Sequence, residues 1–172
     1  MKKYLKYAGA CAALLALIGF ILLLTCPAIM YDGDAVVAGT TAIFGKTYTA
    51  NAGNFSWNYG ETKLAWSALL AFIFVIVALV ILIAGVVLPL LKVKALDKFA
   101  GLLNLIAVGL LLVAGVFTLI TIVVIFTANG GDGVPSSKYT LGAGWIIAGI
   151  LFFLAGFVAI APAASDFLAK KK

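Results

Sequence analysis

Four long apolar runs divide the 172-residue chain, at 7–29, 64–91, 99–128 and 141–164. Each exceeds the roughly 18 residues that mark a membrane-crossing helix. Pro27, Pro89 and Pro162 fall near the predicted ends of these runs, where the missing N–H and the clash with the preceding turn do least harm. The first run follows a basic start, Met1-Lys-Lys-Tyr-Leu-Lys-Tyr7. It outlasts the apolar core of a cleaved leader, usually about 7–15 residues. Leu23-Leu-Thr-Cys26 also lacks the Gly, Ala or Ser that a lipoprotein cleavage site favours before its Cys. The run therefore reads as a retained span.

The polar stretches between the runs are unequal. The longest, 30–63, carries strand signals. Asp32-Gly33 is a tight-turn dipeptide between Ala28–Tyr31 and Ala35–Phe44, and Gly45 precedes Lys46–Ala50. Asn51-Ala-Gly-Asn54 then separates that run from Phe55–Tyr59. These runs are rich in the β-branched and aromatic residues that strands favour, and they predict a meander of three or four strands. A second such stretch, 129–140, is expected to place Ser137–Leu141 on the edge of that sheet. A short linker at 92–98 and a tail at 165–172 complete the plan. The fold class expected is an all-α integral membrane protein. It would be a left-handed four-helix transmembrane bundle forming one membrane domain, with a small extracellular antiparallel β-sheet from the first external loop.

Composition removes the competing classes. The chain is 65% hydrophobic and 10% charged, against about 25% charged for a soluble globule. Its net charge of +6 comes from twelve Lys, with no Arg or His. Lys beside hydrophobic spans points to lipid rather than nucleic acid. Nine Lys fall on one side (Lys2, Lys3, Lys6, Lys92, Lys94, Lys98 and 170–172) and three, Lys46, Lys63 and Lys138, on the other. The positive-inside rule then predicts cytoplasmic termini. Tyr4, Tyr7 and Phe99 would mark the inner interface, and Trp57, Trp66, Tyr139 and Trp145 the outer one. The second and third spans approach or exceed about 40 Å against a hydrocarbon core of about 30 Å. That surplus must tilt or rise outward beneath the sheet. Compactness and loops without Cys fit a bacterial plasma membrane. Cys11 and Cys26 lie roughly 22 Å apart along one helix, too far for a disulfide within the chain.

Small residues recur every seven positions in all four spans: Ala12, Gly19 and Cys26; Ala71, Ala78 and Gly85; Ala100, Ala107, Ala114, Thr121 and Ala128; Gly142, Gly149, Gly156 and Ala163. Such a period keeps one seam facing a neighbour in a left-handed bundle, and small side chains let backbones approach. Gly19, Ala78, Ala107, Ala114, Gly142, Gly149 and Gly156 are the packing candidates. The competing reading is that Ala and Gly are abundant enough to form a stripe by chance. Polar residues within the spans are sparse: Asn104 about a turn inside the third span, with Thr118 and Thr121 further along. Asn104 is expected to bond across helices. No ionisable residue lies in the middle of a span, as proton- or sodium-coupled carriers generally require.

In Phe55-Ser-Trp-Asn-Tyr59 aromatics alternate with polar residues, which gives a strand one apolar face. Phe55, Trp57 and Tyr59 either pack on the outer end of the bundle and the headgroups, or form a surface for a partner or a carbohydrate. Asn54-Phe-Ser56 matches an N-glycosylation triplet. Asp32, Asp34, Glu61 and Asp132 are either solvated loop charges or a loose set for a hard cation.

The arrangement resembles the claudin-like four-helix superfamily. The shared features are cytoplasmic ends, a longer first external loop of strand character, a short second loop and an extended third span. The Gly-Leu-Trp and Cys pair of the claudin loop are not matched: Trp57 lies in Phe-Ser-Trp-Asn, and the loops hold no Cys. The resemblance implies the fold more than an activity. The expected function is non-enzymatic, that of a structural, assembly or accessory subunit acting by lateral association and through the external sheet. The alternative is an oligomeric channel or small-solute transport component. A membrane enzyme would need a constellation that this composition does not offer. No cofactor is expected. The expected partners are the lipid bilayer and either a membrane or extracellular protein or further copies of the chain.

Overall fold

The computed structural model describes residues 2–52, 55–87, 100–130 and 137–169, with side chains at 2–6, 48–60, 100–101, 162 and 165–169 outside the described set. The first helix, α1, runs Lys2–Thr25. It ends sooner than the apolar run, because Pro27 has no N–H to continue the ladder. The Cys26 N–H closes the last turn on Leu22 O at 2.9 Å, and Pro27–Tyr31 becomes strand β1. Asp32 (φ 50°) and Gly33 (φ 94°) then make the two-residue turn signalled by the sequence. Positive φ at both central positions matches the right-handed twist of the paired strands, and β2 (Asp34–Ala38) returns antiparallel to β1.

The expected strand Ala35–Phe44 is cut short. Gly39–Phe44 is a short helix, α2, although Thr40, Thr41 and Ile43 are β-formers. Tertiary packing overrides propensity here. Gly39 is buried so closely against the backbone carbonyls of Leu23 and Cys26 that a Cβ would collide with both. Gly45, at φ 73°, ends α2 by donating its N–H to Thr41 O at 2.8 Å, and only glycine enters this region of backbone space freely. Strands β3 (Lys46–Ala52) and β4 (Phe55–Thr62) follow.

Because α2 separates β2 from β3, the strands form two sheets rather than one meander. One has the order β2-β1-β5 and the other is the β3-β4 pair. Strand β5 is Tyr139–Leu141. It pairs antiparallel with β1 through Ile29↔Leu141 and Tyr31↔Tyr139, the edge position anticipated for Ser137–Leu141.

Helices α3 (Trp66–Val87), α4 (Ala100–Ala128) and α5 (Ala143–Ala169) complete the element order. Segments of all four long helices, Tyr7–Thr25, Trp66–Val87, Leu102–Ala128 and Ala143–Ala161, are long and apolar enough to cross a membrane. They pack as a ring in which α5 sits between α1 and α4, α4 touches α3, and a slighter α1–α3 contact closes the circle. The linker 88–99 lies outside the described residues.

The bundle centre is lined with alanine, including Ala12, Ala71, Ala78, Ala107, Ala114 and Ala155, and filled by a few large side chains such as Leu111 and Phe152. Polar residues are inside: Ser67, Thr118 and Thr121 are fully buried. Ser67 Oγ and Thr121 Oγ1 bond across α3 and α4 at 3.1 Å, and Thr118 Oγ1 donates to Ala114 O at 2.8 Å. Apolar residues face outward on every long helix, with Leu14, Val80, Leu102 and Phe157 each at least half exposed. That distribution inverts a soluble protein's and suits hydrocarbon surroundings, where association relies on close packing and interhelical hydrogen bonds.

Candidate functional site

The sheets lie at one end of the bundle, and the local sequence shows how they are held there. The N–H of Gly142 donates to Ala28 O at 2.9 Å. A side chain at Gly142 would strike the Pro27 carbonyl, so this glycine lets β1 and the start of α5 touch backbone to backbone. Trp145 is fully buried and its Nε1–H donates to Cys26 O at 3.3 Å. The sequence placed Trp145 in an interfacial belt. The structure instead uses its ring to fill the gap beneath the first sheet and its N–H to satisfy the carbonyl at the end of α1. Trp66 is half exposed, edge-on to Phe117 with ring centroids 5.5 Å apart.

Asn129 ties the second sheet to the same platform. Its Oδ1 accepts the backbone N–H of Lys63 at 2.9 Å, while its Nδ2 donates to Ile125 O at 2.7 Å. One amide thus caps the end of α4 and fixes the chain leaving β4. Gly130, at φ 86°, donates its N–H to Thr127 O at 3.3 Å and completes the helix end. Ala65 N–H donates to Ala42 O at 2.8 Å, bracing the start of α3 on α2.

Between the sheets and the end of α4 lies an open cleft of about 490 Å³. Its floor is Ile29, Val37 and Ile125, and its rim includes Glu61, Thr62 and Asn129. Phe126 and Tyr139 form one wall, edge to face at 4.8 Å. Tyr139 also lies 4.6 Å from Tyr31, whose ring carries Lys138 Nζ at 5.9 Å. The result is a row of three aromatic rings with a cation at one end and the cleft at the other. A volume of about 300–1,000 Å³ with an apolar floor and few polar groups is the usual anatomy of a small-ligand site.

Phe55 and Trp57 occupy alternate positions of β4, paired with Ala52 and Ala50, and the register slips between Tyr48 and Thr49, leaving Tyr59 as the extra residue. The side chains of these three aromatics lie outside the described residues. Among the described elements β3 and β4 make extensive contacts only with each other, so the hairpin carrying these residues is attached mainly at its root. Asp32 and Asp34 are exposed at the β1–β2 turn, Glu61 borders the cleft, and Asn54 and Asp132 lie outside the described residues. No described group of three acidic, Cys or His residues is placed to hold a metal ion.

Among the packing candidates, Ala78, Ala107 and Ala114 are fully buried. A Cβ on Gly19 would meet the Phe152 ring at 2.6 Å, one on Gly149 would meet Leu119 at 2.9 Å, and one on Gly156 would meet Leu112 at 3.0 Å. Gly142 differs in kind, since it precedes α5 and contacts β1 instead of another span. Asn104 lies against α3, its Oδ1 3.2 Å from where a Cβ on Gly85 would sit. Sequence reasoning did not single out Gly39, Asn129 or Phe126. The Asn129-Gly130 pair at the end of an apolar run was a helix-stop signal, whereas nothing local marks Gly39 or Phe126. No protein-family model matches the chain, and no curated protein matches it.

Proposed function

We propose that the chain is a multi-pass plasma-membrane protein of claudin-like architecture with cytoplasmic termini, acting as a non-enzymatic structural, assembly or accessory subunit. It associates laterally through its helices and presents the sheet-bearing end outside the cell. One observation carries the reading. Four helices with apolar outward faces bear, at one end, two sheets anchored by Trp145 and Asn129, which together make a fixed platform for display. The nine-to-three Lys distribution supports the orientation. The β3–β4 hairpin, attached mainly at its root, has outer edges that pair with no other described strand and carries Phe55, Trp57 and Tyr59. Aromatic residues are enriched at protein interfaces.

Cross-linking in native membranes, followed by mild solubilisation, tests this reading. A discrete adduct, either with a second copy or with one partner of fixed mass, is expected for the wild type and is lost in Trp57→Ala and Tyr59→Ala. Retention of the adduct by both variants would remove the hairpin from the account. Solute flux through the purified protein in liposomes would instead favour the channel alternative.

A further inference from the structure

The cleft beside α4 has a chemistry of its own, apart from the hairpin's aromatic residues and from the membrane topology, although the root of β4 borders it through Glu61 and Thr62. Its floor is apolar, so an occupant must bring an apolar body to gain from leaving water. Its polar features favour a positive head. Glu61 stands on the rim, and among the described residues no ion pair or side-chain hydrogen bond engages its carboxylate. The C-terminal end of α4 also opens there, with Ile125, Phe126, Asn129 and Gly130 in the lining, and a helix C-terminus carries a partial negative charge of about half an elementary unit. The wall is the Phe126–Tyr139 pair. Aromatic faces attract cations within about 6 Å of the ring centroid. The same row already receives one: Lys138 Nζ sits over Tyr31, the ring next to Tyr139. Nearby positive charge comes from Lys46, Lys63 and Lys138; none of them lines the cleft, although Lys46 and Lys63 share a neighbouring pocket with Glu61 on its other side.

We propose that this cleft binds an ammonium group carried on an apolar body, with the cation between Glu61 and the Phe126–Tyr139 wall and the apolar part on Ile29, Val37 and Ile125. The ammonium comes either from a dissolved amine or from a choline-type lipid headgroup, since the chemistry that recognises both is the same.

The test uses the full chain in neutral maltoside micelles, titrated calorimetrically with phenyltrimethylammonium and, separately, with benzenesulfonate, which has a similar apolar body and the opposite charge. Saturable binding of the cation alone is expected, weakened about five- to tenfold by Glu61→Gln, the factor expected for one ionic contact of about 1–1.4 kcal/mol. Glu61 is exposed, so its replacement leaves the fold in place. Phe126→Ala should weaken binding similarly, with thermal unfolding recorded alongside. Lys138→Met, which removes a nearby like charge, should strengthen it. Absence of saturable binding, equal binding of benzenesulfonate, or unchanged affinity in Glu61→Gln would overturn the proposal. Dihexanoylphosphatidylcholine below its micellar concentration provides a second arm. Displacement of the probe assigns the cation to a lipid headgroup and its retention to a dissolved amine, and either result supports ammonium recognition. Failure of the hairpin cross-linking test would leave these outcomes untouched.

Discussion

At the residue scale, close approach is the dominant constraint. Gly39 is the sharpest case: a methyl group there would collide with the Leu23 and Cys26 carbonyls, and backbone atoms cannot swing aside as a side chain can. Gly39→Ala should therefore cost about 1–3 kcal/mol, the usual penalty for overpacking, seen as a lower unfolding temperature in detergent. Gly109→Ala is the matched control, since nothing lies within 4 Å of its missing Cβ. It should leave stability unchanged or raise it by about 1 kcal/mol through helix propensity. The Ser67–Thr121 pair adds a smaller contribution. In hydrocarbon such bonds average about 0.6 kcal/mol, so a double-mutant cycle with Ser67→Ala and Thr121→Val should give a coupling of that order. These features differ in how openly the sequence displays them. Asp32-Gly33 declares its turn locally, because the required φ values belong to those residue types. The need for glycine at 39 arises from carbonyls that lie 13 or more positions earlier in the chain, and no local pattern encodes it.

At the element scale, the helices, the β1–β2 turn and the edge position of β5 were legible, whereas α2 and the division of the strands into two sheets were not. A run of about 20 apolar residues carries its own helix signal, and four such runs gave four long helices. The end of α1 combines a local signal with a tertiary contact: Pro27 stops the ladder after Thr25, and the Trp145 N–H holds the Cys26 carbonyl where the apolar stretch becomes β1. The strand-like run Ala35–Phe44 split for a related reason: burial of Gly39, Ala42 and Ile43 between α1 and α3 favours a helical turn over an extended edge. The seam of small residues predicts that Gly149→Leu, which would push into Leu119 and toward Gly115 O, lowers thermal stability in detergent by about 1–3 kcal/mol. The Asn129 tether makes a different prediction. Asn129→Ala removes the partner of the Lys63 N–H at an exposed position, a loss of about 0.5–1.5 kcal/mol. Hydrogen exchange should then accelerate across β3 and β4 while the helical amides keep their protection.

At the scale of the whole molecule, the inverted distribution of polarity and the asymmetric ends belong to one design. Ser67, Thr118 and Thr121 are inside while Leu14, Val80 and Phe157 are outside, on four helices long and apolar enough to cross a membrane. The two sheets gather at one end, and the Lys-rich segments are assigned by sequence to the other. This assignment rests on charge, which the positive-inside rule converts into orientation. It is the premise that makes the sheet-bearing end, with its hairpin and cleft, available outside the cell. Single-cysteine labelling in intact cells tests that premise most directly. With Cys11 and Cys26 replaced by Ala, Asp34→Cys and Lys172→Cys are each treated with a membrane-impermeant maleimide before and after permeabilisation. The account predicts that Asp34→Cys reacts in intact cells and Lys172→Cys only after permeabilisation, and the reverse pattern would contradict it.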